Sequence, residues 1–127
     1  MVTMTGVYEG EKHCELIHGP SQTKINTDAP KDNNGRGEAF SPTDLVGAAL
    51  GSCILTTMAI MGEKNGLDFK GSSFQVTKKM RTEPRAIDEL SVEITLPDRF
   101  KAEERATLEK IAHTCPVARS LSPDVKI

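Results

Sequence analysis

SPTDLVGAALGSCILTTMAIMGEKNG, residues Ser41–Gly66, is the stretch whose reading decides the fold. Ser41 is a good helix N-cap, and Pro42 suits the first helical position. Asp44 follows Ser41 by three residues, a capping box with aspartate in the usual glutamate place. Phe40 and Leu45 are spaced as a hydrophobic staple. These signals predict a helix running to about Asn65, with Gly66 as its C-terminal stop. Leu45–Gly62 carries no charge over 18 residues, the lower limit for a membrane span. Three glycines, Ser52, Thr56 and Thr57 dilute that run, and no basic loop flanks it. The reading is therefore the central helix of a soluble protein, with no membrane partner. Because it is apolar nearly all round, the helix is expected to be buried on most sides. A small domain has too little material to surround it. Two copies packed together would supply the cover, with Gly47 and Gly51 permitting close approach.

Outward from this helix, the alternating segments Val2–Tyr8, Cys14–His18 and Thr23–Thr27 read as strands, the last two joined by a turn at Gly19-Pro20-Ser21. Residues 28–39 (DAPKDNNGRGEA) read as a loop. Beyond the helix, Ser73–Arg81 and Glu89–Leu96 read as a strand pair. Ala102–His113 reads as a second helix with an apolar stripe of Leu108, Ile111, Ala112 and Cys115. Pro116 interrupts it and opens a short further turn, and Val125–Ile127 reads as extended. The order βββ-α-ββ-αα gives an α+β fold in one domain spanning residues 1–127.

Composition narrows the function. The net charge of −2 offers no electrostatic case for nucleic acid, and five Phe or Tyr with no Trp exclude a base-stacking platform. Three scattered cysteines do not make a secreted disulfide scaffold. Met1–Gly10 lacks the basic-then-apolar pattern of a signal peptide, so the expected compartment is the reducing cytoplasm. His13, Cys14, His18, Cys53, His113 and Cys115 contain no CxxC or finger-type spacing, and no metal is expected. Phosphate loops, nucleophile elbows and dinucleotide fingerprints are absent.

The cysteines carry what chemistry there is. Cys53 lies mid-helix among apolar neighbours, where it reads equally as a small core hydrophobe. Burial there should raise its pKa, so a reactive Cys53 requires a cation from elsewhere. Cys115 precedes Pro116. If a helix opens at Pro116, its positive end favours a Cys115 thiolate; otherwise Cys115 closes the Leu108 stripe. Cys14 reads as structural. Arg36, between Gly35 and Gly37, is the candidate cation, with Arg81, Arg85, Arg105 and Arg119 as competitors.

Ser41-Pro42-Thr43-Asp44-Leu45 with Ala48-Ala49-Leu50-Gly51-Ser52-Cys53 resembles the central-helix signature of the OsmC/Ohr family, the osmotically inducible protein C and organic hydroperoxide resistance proteins. His113-Thr114-Cys115-Pro116-Val117, followed by Ser120-Leu121-Ser122-Pro123-Asp124-Val125, resembles its second-cysteine segment. The resemblance covers about Asp28–Ile127. It implies an intertwined homodimer and a thiol peroxidase without cofactor. Cys53 would be the peroxidatic cysteine, Cys115 the resolving one, and an external dithiol the reductant. The family also uses an arginine oriented by a glutamate. Thr43 stands at that glutamate's place with Asp44 beside it, and Arg36 is the arginine by elimination. Phe40, Met58 and Met61 are expected to line a pocket for an organic hydroperoxide. The alternatives are a non-catalytic binding or stress-related dimer, which the loss of glutamate at Thr43 favours, and a cysteine redox sensor.

Overall fold

The computed structural model describes residues 1–127 and divides into two compact units, Met1–Leu45 and Val46–Ile127. In the first, β1 (Met4–Gly10), β2 (His13–His18) and β3 (Lys24–Asp28) form an antiparallel meander. The first strand lies two residues later than its alternation suggests. Its pairing starts at Met4, opposite His18, and continues to Gly10, opposite His13. The turn that follows places Gly10, Glu11 and Lys12 all at positive φ, a conformation glycine adopts without steric cost. Register along β2–β3 sets His13 opposite Asp28. The loop after β3 contains one turn of 3₁₀ helix, Lys31–Asn33.

Helix α1 (Pro42–Glu63) begins at the end of this unit with the capping the sequence specifies. The Asp44 N–H donates to Ser41 Oγ at 3.1 Å, and the Ser41 N–H donates to the Asp44 carboxylate at 2.9 Å. Two otherwise orphaned N–H groups are thereby satisfied reciprocally. At the far end, Gly66 has φ +79°, the left-handed stop expected there.

The second unit packs α1 against the hairpin of β4 (Ser73–Arg81) and β5 (Ala86–Thr95), with α2 (Ala102–Ala112) and the five-residue α3 (Pro116–Ser120) completing it. β5 starts three residues earlier than Glu89, because the hairpin pairs right up to Arg81–Ala86. The final residues join the sheet: the Leu90 N–H donates to Lys126 O, and the Lys126 N–H to Asp88 O, at 2.8 and 3.0 Å. Leu50, Ile54 and Met58 of α1 form the core with Phe69, Leu90, Phe100, Leu108 and Cys115. Leu50, Leu90 and Leu108 are buried almost completely, each worth about 1.5–3 kcal/mol in transfer free energy.

Two features of α1 bear on how it is covered. Burial is one-sided: Ala49, Ser52, Thr56 and Ile60 are exposed, because a single chain supplies one layer to lie on the helix. Gly47 and Gly51 also serve this chain's own sheet. A Cβ on Gly51 would sit 2.5 Å from the Phe74 ring and 2.7 Å from Val76, so only glycine lets β4 approach this closely.

Candidate active site

Helix spacing places Cys53 and Thr57 one turn apart on one face of α1, with Cys53 Sγ and Thr57 Oγ1 at 3.9 Å. The end of α2 and the start of α3 bring Cys115 to the same place. Pro116 occupies the first position of α3, where its missing N–H costs nothing, and Cys115 is the N-cap. The next two amides are then free. Ala118 N–H donates to Cys115 Sγ at 3.3 Å, and Val117 N–H reaches the Cys53 sulfur. The Cys115 thiol is also within hydrogen-bonding reach of Cys53. The structure thus unites two cysteines that stand 62 residues apart in the chain.

Burial alone would push the Cys53 thiol up. The Val117 amide, the Cys115 thiol and the Thr57 hydroxyl outweigh it and hold Cys53 below the ordinary thiol value. All three are neutral. Cys115 goes the other way. It has no exposed surface, and burial pushes it up; the Ala118 amide opposes this, but the neighbouring Cys53 adds to the rise. This reverses the sequence expectation that burial would disfavour a Cys53 thiolate while the new helix favoured one at Cys115. The reason is geometric: the first amide of α3, that of Val117, reaches both sulfurs, and at the fully buried Cys115 the amides do not outweigh burial. The two sulfurs are therefore biased in opposite directions, Cys53 toward the thiolate and Cys115 toward the thiol.

Beside this pair in the second unit lies a cavity of about 580 Å³. Its walls include Ile54, next in sequence to Cys53, and Ala118, whose amide caps Cys115, together with Met58, Val92, Ile94 and Leu96. One stripe of α2, Arg105, Glu109 and His113, adds polar groups. Met58 lines this cavity. Met61 lines a separate one of about 170 Å³, and Phe40 is 56% exposed in the first unit.

Arg36 belongs to a different cluster. Its guanidinium faces Glu11 at 3.3 Å and the buried Asp28 carboxylate at 3.5 Å. Asp28 also accepts from His13 Nδ1–H at 2.6 Å and from the Glu38 N–H at 3.1 Å. The His13 bond foremost, then the Glu38 amide and the Arg36 charge, hold the Asp28 carboxyl below the usual carboxylate range against the effect of burial. Thr43 Oγ1 lies 3.3 Å from Ser41 Oγ, and Asp44 is the capping residue. Cys14 is a half-buried strand residue. His13 and Asp28 were not singled out by the sequence, where no helical or alternating pattern links them. Thr57 could have been found from its four-residue spacing to Cys53. Val117 acts through its main chain, and only Pro116 at the helix start signals that.

The chain is an α+β protein with a half-buried and a fully buried cysteine side by side, where its central helix meets a Pro-initiated turn. The family described as OsmC-like protein matches residues 35–127, and the chain belongs to it. A Psychrobacter arcticus 273-4 protein, described as an osmotic stress induced and detoxification response protein, is 40% identical. It superposes with a TM-score of 0.95 over 99% of this chain and 92% of its own. An OsmC-like protein from Mycoplasma pneumoniae (19% identity, TM-score 0.81, 100% and 92% of the two chains) has the same fold. So does an organic hydroperoxide resistance protein from Legionella pneumophila (17%, 0.74, 99% and 92%). No curated protein matches the chain.

Proposed function

We propose that this chain is a cytoplasmic, homodimeric thiol peroxidase that reduces organic hydroperoxides through Cys53 and Cys115. The observation that carries the reading is the pair of cysteine sulfurs within hydrogen-bonding reach of each other, Cys53 biased toward the thiolate and Cys115 toward the thiol. In the reaction, the Cys53 thiolate attacks the terminal peroxide oxygen. The O–O bond breaks, the alkoxide takes a proton and leaves as alcohol, and Cys53 becomes a sulfenic acid. The Cys115 sulfur then displaces the sulfenic oxygen, which leaves as water, and a disulfide forms. An external dithiol reduces the disulfide by exchange and is itself oxidised.

Family membership supports a redox or stress-response role, and the hydroperoxide resistance named for fold relatives points to the substrate class. The apolar walls of the neighbouring cavity suit an alkyl tail better than bare hydrogen peroxide, and its size is that of a small-molecule pocket. The uncovered stripe of α1 suits a second copy of the chain, and a dimer is part of the proposal. In this reading the neutral donors around Cys53 carry its activation, and Arg36 pairs with Asp28 and Glu11.

Cys53→Ser is expected to abolish turnover of an organic hydroperoxide in the presence of dithiol. Undiminished turnover removes the mechanism.

A further inference from the structure

Three hydroxyls on or beside the later helices of this protein bond back to main chain. Thr107 Oγ1 donates to Glu103 O at 3.1 Å, Thr114 Oγ1 to Ile111 O at 2.7 Å, and Ser120 Oγ to Pro116 O at 2.8 Å. This is the ordinary use of a helical serine or threonine, three or four residues after the carbonyl it reaches. Thr57 is half-buried in the middle of α1 and departs from it. Its Oγ1 faces the Cys53 side chain one turn back, 3.9 Å from the sulfur. A β-branched residue in a helix has few χ1 choices, and threonine divides between two because one of them allows the back-bond. The rotamer here turns the hydroxyl to sulfur.

We infer that Thr57 is a positioning residue for Cys53: its hydroxyl donates to the sulfur, favours the ionised form and fixes the direction in which the sulfur lone pairs point. The other two donors come from a different segment, Val117 and Cys115. Thr57 is the donor on α1 itself, so it moves with Cys53. When the Cys115 thiol is consumed in disulfide formation, or shifts, Thr57 stays in place. A hydrogen bond to a charged acceptor is stronger than one to a neutral acceptor, so the contact acts on the thiolate more than on the thiol. The inference rests on the reading of Cys53 as a nucleophile but is tested without peroxide.

The test is the pH dependence of Cys53 alkylation by iodoacetamide, followed at that peptide by mass spectrometry in the full-length protein. Thr57→Val keeps the shape and removes the hydroxyl; Thr57→Ser keeps the hydroxyl. Thr57→Val is expected to alkylate about three- to tenfold more slowly at neutral pH, with its profile displaced to higher pH, and Thr57→Ser to restore the native profile. Unfolding temperature controls for lost packing. An unshifted profile in a folded Thr57→Val, or a failure of Thr57→Ser to restore it, overturns the inference. If the Val variant does not fold, a Thr57→Ser profile displaced from native overturns it and a coincident one supports it. Native protein that alkylates at Cys53 with the expected profile yet turns over no hydroperoxide defeats the proposed function and leaves Thr57 in its role.

Discussion

The two units of this chain stabilise an anion in opposite ways. In the first, the Asp28 carboxylate faces the charged Arg36 guanidinium at 3.5 Å and accepts from His13 Nδ1–H at 2.6 Å and one main-chain amide. In the second, the contacts of Cys53 are an amide, a thiol and a hydroxyl, none of them charged. The difference matches the tasks. A carboxylate is ionised at neutral pH wherever it is moderately solvated, so charges around it serve to tie a loop in place. For the proposed nucleophile a modest bias is enough, and neutral dipoles would supply it without a tight ion pair.

The comparison can be broken most severely on the sulfur side. Cys115→Ser removes the thiol that donates to Cys53 and would condense with it. Steady turnover with dithiol is expected to fall roughly tenfold or more, while one equivalent of peroxide still oxidises Cys53 to a sulfenic acid that a cyclic dione captures. Full turnover in this variant would make Cys115 a spectator.

On the carboxylate side the effect is on stability and has a defined sign. The folded-state Asp28 carboxyl ionises below its ordinary range. Its contribution is therefore complete above that range and is lost as the pH falls through the lowered folded value. Asp28→Asn is expected to lower the unfolding temperature by several degrees at neutral pH and to flatten the decline in acid. An unchanged acid limb in thermal scans would show that the cluster does not hold the fold.

The smallest effect sharpens the contrast. Raising salt to about 1 M, where the Debye length is about 3 Å, weakens charged pairs such as Arg36–Glu11, worth no more than about 1 kcal/mol at this exposure. It should leave the alkylation profile of Cys53 nearly in place. A salt-dependent Cys53 profile would mean that a charge, Arg36 among the candidates, governs the thiolate after all.

What the sequence made legible follows the range of the interactions. The start of α1 was readable residue by residue, because Ser41, Pro42 and Asp44 satisfy one another within a single turn. The meeting of Cys53 and Cys115 came from two motifs and their resemblance to a family, since periodicity cannot join residues so far apart. The sense of their asymmetry was misread. It depends on which amide of a five-residue helix faces which sulfur, and main-chain donors leave no mark in side-chain identities. The Asp28 cluster was hidden for another reason: it exists only in the register that sets His13 opposite Asp28. The incomplete cover of α1 was legible from chain length, but which stripe stays open, Ala49, Ser52, Thr56 and Ile60, depends on where β4 and β5 lie against it.

The guanidinium of Arg105 has a mechanical meaning. Its Nε–H donates to Phe100 O at 3.1 Å and its terminal N–H to Pro97 O at 2.7 Å, which lashes the first turn of α2 to the connection from β5. The near end of that helix is thereby an anchored post. In the proposed reaction, any movement that joins the two sulfurs is then confined to the few residues from His113 onward.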